Sequence, residues 1–320
     1  MTMSRLTFNN ETRPSADAIL AAKGHSFYWA RHLLGSVHAA RSTRLYGFCR
    51  LIDDLADSAS SADAARLDLS RAAIAITTGV STDPAINDML DLMRECQIGS
   101  AIVLELIKGV VSDLETVRME NIDCLLRYCY RVAGTVGLMM CSVLDVDDPA
   151  ALPHAVDLGI AMQLTNICRD IAEDAAVGRR YLPASMIGNV SPELLISPVD
   201  GLRPRLRQCV ADLLDLAHRH YRSGEQGLPY LPVRARSSIL VAAQLYEAIG
   251  KELRRRDCAY WSGRIVLHRG RKTALTACAM MSQALRPSFW LAPKEHNAAL
   301  HTAIVGLPCM ARVAGGDSAV

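Results

Sequence analysis

Aromatic residues make up only 5% of this 320-residue chain, although 50% of it is hydrophobic. Ala, Leu, Met and Val must therefore fill the core, which suits packed helices better than a sheet rich in β-branched and aromatic side chains. Net charge is also small, at +2, so no global basic field points to nucleic acid and the electrostatics must be local. The ten cysteines show no C-x-x-C spacing, which argues against a cysteine zinc site or a disulfide scaffold and fits a reduced, cytoplasmic protein. No run reaches the ~18 apolar residues of a membrane span; the stretch Gly134 to Leu144 stops at Asp145. The N-terminus has neither an apolar signal core nor a basic amphipathic transit pattern, so any membrane contact should be peripheral. Neither G-x-G-x-x-G nor G-x-S-x-G occurs, leaving no motif for a nicotinamide site or a serine hydrolase.

What is present is helical periodicity. Apolar residues recur at helix spacing over roughly 64–78, 84–96, 100–119, 122–143, 149–173, 205–223, 234–256 and 265–285, and strand-like alternation is nowhere sustained. No linker divides the chain. Residues 1–13 read as a loose arm, 14–290 as one helical domain and 291–320 as an extension, partly disordered, with one more helix expected from Asn297 to Met310. Ser58 to Asp63 reads as a loop that is either a lid or an ordinary connection. Gly188 to Pro204 should meander. Gly270-Arg-Lys272-Thr273 lacks the spacing of a P-loop and reads as a basic helix face. His218 and His220, at i and i+2, point apart on a helix and read as solvated.

Two acidic segments carry chemistry. In Gln163-Leu-Thr-Asn166-Ile-Cys-Arg169-Asp170-Ile-Ala-Glu173-Asp174, Asn166, Asp170 and Asp174 project an amide and two carboxylates from one helix face. They adjoin apolar Ile160, Leu164 and Ile167, so keeping both acids ionised there calls for a bound cation or a cationic partner. Hard Mg²⁺, which shares carboxylates with substrate phosphates, suits these oxygens. Taken alone, a solvated acidic face is the simpler alternative. Tyr46-Gly-Phe-Cys-Arg50-Leu-Ile-Asp53-Asp54-Leu-Ala-Asp57 repeats the pattern. Two such faces opposed across a cavity would hold Mg²⁺ ions, and through them a diphosphate. Arg50, Arg169 and either Arg179 or Arg180 add guanidinium donors matched to phosphate; their alternative role is pairing with the acids, which suits Arg179 first.

At these residues, together with Ser26-Phe27-Tyr28 and Tyr128-Cys-Tyr-Arg-Val132-Ala133-Gly134-Thr-Val136-Gly137, the chain resembles the squalene and phytoene synthases, which join two prenyl diphosphates head to head. All four motifs occur in the expected order, and the segment Gly178-Arg-Arg-Tyr-Leu-Pro183 is most similar to the bacterial carotenoid-forming members.

The resemblance implies an all-α, single-domain isoprenoid-synthase-type helical bundle around a central cavity. It implies Asp53, Asp57, Asn166, Asp170 and Asp174 as metal ligands, and Tyr46, Arg50, Tyr128, Arg169 and Asn166 as catalytic residues, Tyr128 facing the reacting carbons. Ser26, Phe27, Arg50, Val132, Ala133, Gly137, Gln163, Asn166, Arg180, Tyr181 and Arg264 would bind substrate. The small residues Ala133-Gly134 and Val136-Gly137 either admit a neighbouring helix or leave room for an isoprenoid tail, and the resemblance favours the tail. The expected cofactor is Mg²⁺, with Mn²⁺ as the alternative and no NADPH. The expected reaction joins two geranylgeranyl diphosphates to phytoene through a cyclopropylcarbinyl diphosphate. Squalene or dehydrosqualene formation from farnesyl diphosphate is the second reading, and a non-catalytic lipid-binding or assembly factor of the same fold is the third. Leu138, Met139, Met140 and Met162 would set chain length. Expected partners are prenyl diphosphates, a membrane surface facing Arg254 to Arg256 or His268 to Lys272, and downstream carotenoid enzymes, with no nucleic acid.

Overall fold

The computed structural model describes residues 31, 33–283 and 287–310. The expected N-terminal arm and the proposed substrate residues Ser26 and Phe27 lie outside the described residues. Helices account for nearly all regular structure: α1 Ser36–Asp57, α2 Ala62–Thr78, α3 Pro84–Cys96, α4 Ser100–Ser112, α5 Ile122–Cys129, α6 Thr135–Val143 and α7 Ala151–Arg169. They continue as α8 Ile171–Ala176, α9 Ala184–Ile187, α10 Pro192–Ile196, α11 Arg203–Gln226, α12 Val233–Arg255, α13 Arg269–Ser282 and α14 Pro287–Trp290.

Local chemistry sets several of these boundaries. The Ser61 side chain accepts from Ala64 N at the start of α2, Asp83 accepts from Ala85 N ahead of Pro84 in α3, and Asn121 accepts from Cys124 N in α5. Each satisfies an amide that a helix N-terminus leaves unpaired. Gly79 closes α2 in the left-handed region, at φ 74°, where a Cβ would be strained.

The packing has two main apolar clusters. One joins α1 to α4 through Leu45, Phe48, Ile52, Leu69, Met89 and Val103, and takes in Met139 and Val143 from α6. The other joins α5, α7, α11 and α12 through Leu125, Ile160, Leu164, Leu213 and Leu253. Burying each such side chain is worth ~1.5–3 kcal/mol. α7 is the hub: Val156, Ile160, Ala161 and Leu164 are fully buried, and it packs on α11, α6 and α12. Between α5 and α6 the chain widens into a π-turn, Tyr130–Gly134. There α6 meets α7 almost backbone to backbone, since a Cβ on Gly137 would lie 2.2 Å from Ala155 O and one on Gly159 2.3 Å from Ala133 O.

Several sequence expectations need adjustment. The helix expected from 149 to 173 breaks at Asp170, whose φ and ψ of −103° and 15° leave the α region. The pattern over 100–119 ends at Ser112. The expected meander contains α10, with α9 just before it. Residues 298–304 form a 3-10 helix, and this segment is packed down, with Ile304 and Met310 joining the second cluster. His220 is not solvated: it is 0% exposed, whereas His218 lies at the surface. Among the described residues no helix is long and apolar enough to cross a membrane.

Candidate active site

α1 and α7 place the two acidic segments on opposite walls of one cavity of about 280 Å³. It is lined by Arg50, Asp53 and Asp57 from α1, by Gln163, Asn166 and Arg169 from α7, and by Asp170 and Asp174 at α8. The break at Asp170 turns the chain without losing the acidic row: Asp170 still accepts α8's Asp174 N–H on its carbonyl, at 2.9 Å. A second cavity, about 360 Å³, is lined chiefly by Leu45, Val136, Met140, Leu144, Leu158 and Met162. Asp53, Val132, Gln163 and Asn166 line both cavities, so the acidic space and the apolar one meet there.

The electrostatics are unequal. Burial pushes the Asp53 carboxyl up to about 6, Arg50 opposes the rise, and repulsion from Asp57 and Asp54 adds to it. Asp53 stays open to the cavity on one side, but the surrounding walls strip much of its hydration. Asp174 rises to about 7, through burial and then repulsion from Asp170, against the pull of Arg179. Asp170 moves the other way. Burial works against its charge, but Arg169 and Arg264 outweigh it; Arg169 Nε donates at 2.7 Å and Arg264 Nε at 2.9 Å. Arg50 donates to Asp54, and Arg179 approaches Asp57 at 3.8 Å. Two buried polar atoms at this site have no partner, Arg50 Nε and Asn166 Oδ1. An orphan donor and an orphan acceptor lining one cavity, with two carboxyls driven towards neutrality, fit a space that receives both cations and an anion.

Tyr128 and Tyr181 also reach the acidic cavity. Their rings stack at 4.9 Å, and both hydroxyls donate to Asp113, at 2.8 and 2.7 Å. Asp113 escaped the sequence reading because it stands alone at the end of α4, outside any acidic repeat. Burial raises its carboxyl, and the two tyrosine hydrogen bonds restrain the rise. Tyr246 on α12 lines the apolar cavity and was also missed; nothing in its local pattern marks a lone aromatic on a long helix.

The expected site residues fall as follows. Tyr46, Val132, Ala133, Gly137, Gln163 and Asn166 line the apolar cavity, while Arg50, Tyr128, Arg169 and Tyr181 line the acidic one. The π-turn is what swings Val132 and Ala133 into the cavity wall, a common use of such turns. Gly137 does touch the cavity, but its first requirement is the close approach of α7. Arg264 is half exposed and reaches the site only through Asp170 and, at 3.6 Å, Glu173. Arg180 requires correction. Its guanidinium is buried and donates to Leu182 O at 3.0 Å, and its backbone pairs with residues 117 and 119. It braces the turn, and Arg179 takes the place facing the cavity. Leu138 and Met139 also point elsewhere, buried in the two apolar clusters, while Met140 and Met162 line the apolar cavity.

Residues 20–271 match the sequence profile of the squalene/phytoene synthases. A 15-cis-phytoene synthase of Enterobacter agglomerans is 38% identical over 62% of this chain and 67% of its own. A phytoene synthase of Pseudescherichia vulneris is 33% identical over 82% and 89% respectively. Among solved structures, a dehydrosqualene synthase superposes with a TM-score of 0.76 at 26% identity, covering 85% of this chain and 96% of that one. A squalene synthase of Alicyclobacillus acidocaldarius, at 22% identity and a TM-score of 0.65, shares the fold, covering 76% and 92%.

Proposed function

The chain belongs to the squalene/phytoene synthase family, and we propose that it is a phytoene synthase joining two geranylgeranyl diphosphates head to head with release of diphosphate. One observation carries the reading: an acidic cavity and an apolar cavity open into each other at Asp53, Gln163 and Asn166. A prenyl diphosphate has that same division, a polyanionic head on a long hydrocarbon tail.

Asp53 and Asp57 on one wall, and Asn166, Asp170 and Asp174 on the other, would hold Mg²⁺. When bound, the metal neutralises the charge that develops on the departing diphosphate. Arg50, Arg169 and Arg179 are placed to donate to phosphate oxygens. The carbocations that follow survive only away from water, and Val136, Met140, Leu158 and Met162 supply an inert wall. Because Tyr128 Oη donates its own proton to Asp113, its lone pairs remain available to accept one. Tyr128 and Asp113 therefore form a relay for the proton lost on closing the cyclopropane, with the released diphosphate as the competing acceptor. The second cation, formed when the cyclopropylcarbinyl diphosphate ionises, is quenched by proton loss with no nicotinamide reductant.

A peripheral membrane location suits so hydrophobic a product, as would hand-over to downstream carotenoid enzymes. Exposed Val266, Met281, Trp290 and Leu291 support an apolar contact with lipid. Arg254 pairs with Asp215, and Arg255 and Arg271 pair with Glu252, so apolar insertion outweighs basic attraction in this reading. Binding in a vesicle flotation assay should then persist in high salt. The activity itself is tested by supplying geranylgeranyl diphosphate and Mg²⁺ alone. Phytoene is the expected product; turnover of farnesyl diphosphate but not of the C20 substrate would make this a C30 enzyme.

A further inference from the structure

Asp157, on the N-terminal half of α7, is completely buried. Its Oδ1 accepts from His220 Nδ1 at 2.7 Å and from His301 Nε2 at 2.9 Å, and its Oδ2 accepts from His296 Nε2 at 2.8 Å. His296 and His301 come from the C-terminal segment, across sequence separations of 139 and 144 residues. None of these residues lines either cavity. Asp157 precedes Asp170 by thirteen residues, roughly 20 Å along a helix axis, so the cluster is spatially distinct from the acidic clamp.

We propose that Asp157, His296 and His301 form a structural site for a divalent transition-metal ion, best matched to Zn²⁺, that fastens the C-terminal segment to the central helix. A carboxylate buried without a countercharge is costly, and among the described residues the ion-pair partners of Asp157 are all histidines. Imidazoles can satisfy its lone pairs, and a divalent cation held jointly with two of them would also neutralise its charge. The ligand atoms of Asp157, His296 and His301 all lie within 4.8 Å of one another, and ligands of one tetrahedral Zn²⁺ ion sit about 3.3 Å apart, given metal–ligand bonds of ~2.0–2.1 Å. Two imidazoles and one carboxylate are a common zinc donor set, with the fourth position left to water. On binding, each histidine carries its single ring proton at Nδ1 and turns the Nε2 lone pair to the metal. His220 then has the role of an outer partner, its Nδ1–H holding the ligating carboxylate in orientation.

The segment itself gives an independent reason. Residues 291–310 have no regular structure beyond the 3-10 helix at 298–304, yet His301, Ile304 and Met310 are buried. A metal cross-link over so long a loop is an efficient fastening.

The test uses the full chain, stripped with a chelator and dialysed against micromolar Zn²⁺ in a Mg²⁺ buffer, with bound metal measured by mass spectrometry. The wild type should retain about one zinc per chain and gain several degrees in melting temperature. His296→Gln and His301→Gln should lose both the zinc and the shift, while Asp174→Asn, at the acidic clamp, should keep them. A wild type that is folded by circular dichroism yet holds no zinc would overturn the proposal. So would zinc that survives both histidine substitutions, or zinc lost on Asp174→Asn. Should His301→Gln fail to fold, the wild-type dialysis and the less buried His296→Gln still decide.

Discussion

The two cavities are of similar size, about 280 and 360 Å³, and they share walls, yet their chemistry is opposite. The same helices build both. Along α1, the row Leu45, Cys49, Asp53, Asp57 steps every four residues from apolar to acidic; along α7 and α8, Leu158, Met162, Asn166, Asp170, Asp174 does the same. Residues at i and i+4 lie on one helix face, so each helix presents a single stripe that changes character half-way. The two stripes face each other in register, apolar end to apolar end. Binding a molecule with a charged head and a hydrocarbon tail thus requires no separate domains, only two helices whose stripes switch at the same depth.

Breaking the acidic half should have the largest effect. Asp53→Asn or Asp174→Asn is expected to lower turnover by about 10³-fold, as for loss of a preorganised electrostatic group, while the far-ultraviolet circular dichroism stays unchanged. Wild-type turnover in either variant would contradict the clamp. Breaking the apolar half should cost less. Met140→Trp, which fills the tail space, is expected to reduce the rate with the C20 substrate by ~10–200-fold, leaving inorganic diphosphate binding, followed by calorimetry, intact. If both fall together, the halves are not separable.

The seam between α6 and α7 is a matter of stability. Gly137→Ala would bring a Cβ within 2.2 Å of Ala155 O, so the helices must separate, at a cost of ~1–3 kcal/mol, read as a drop of several degrees in a melting experiment. An unchanged melting temperature would show that the close approach is dispensable.

The smallest effect is in the pH dependence of the metal-free protein. The folded carboxyl of Asp174 is raised from 3.8 to about 7. Its contribution is therefore present below pH ~4 and lost as pH rises towards 7, because folding disfavours the ionised form. The melting-temperature advantage of Asp174→Asn over wild type should grow between pH 4 and 7, and shrink when Mg²⁺ and diphosphate are added. An advantage that falls with rising pH would reverse the assigned sign.

Asp53, Asp57, Asn166, Asp170 and Asp174 were legible in the sequence because they are periodic. Helix geometry maps spacing directly onto a face, and two acidic faces suffice to suggest a metal and a diphosphate. Arg179 and Arg180 were not separable in this way, since adjacent residues leaving a turn point apart, and only the bracing of Arg180 against the Leu182 carbonyl shows which one faces the cavity. Asp113 and Tyr246 were invisible for want of any local repeat. His220 was misread, because its partner lies on another helix 63 residues away.

By itself, then, the sequence determined the helical class, the two acidic stripes and the absence of any membrane-spanning run, all of which follow from interactions within a few turns of one helix. The tertiary structure alone decided that the stripes oppose each other in register, that the π-turn places Val132 and Ala133 in the wall, and that Asp157 gathers three distant histidines. Each of these depends on which helix faces which, and that is set by the packing of many side chains together, a sum that no single segment carries.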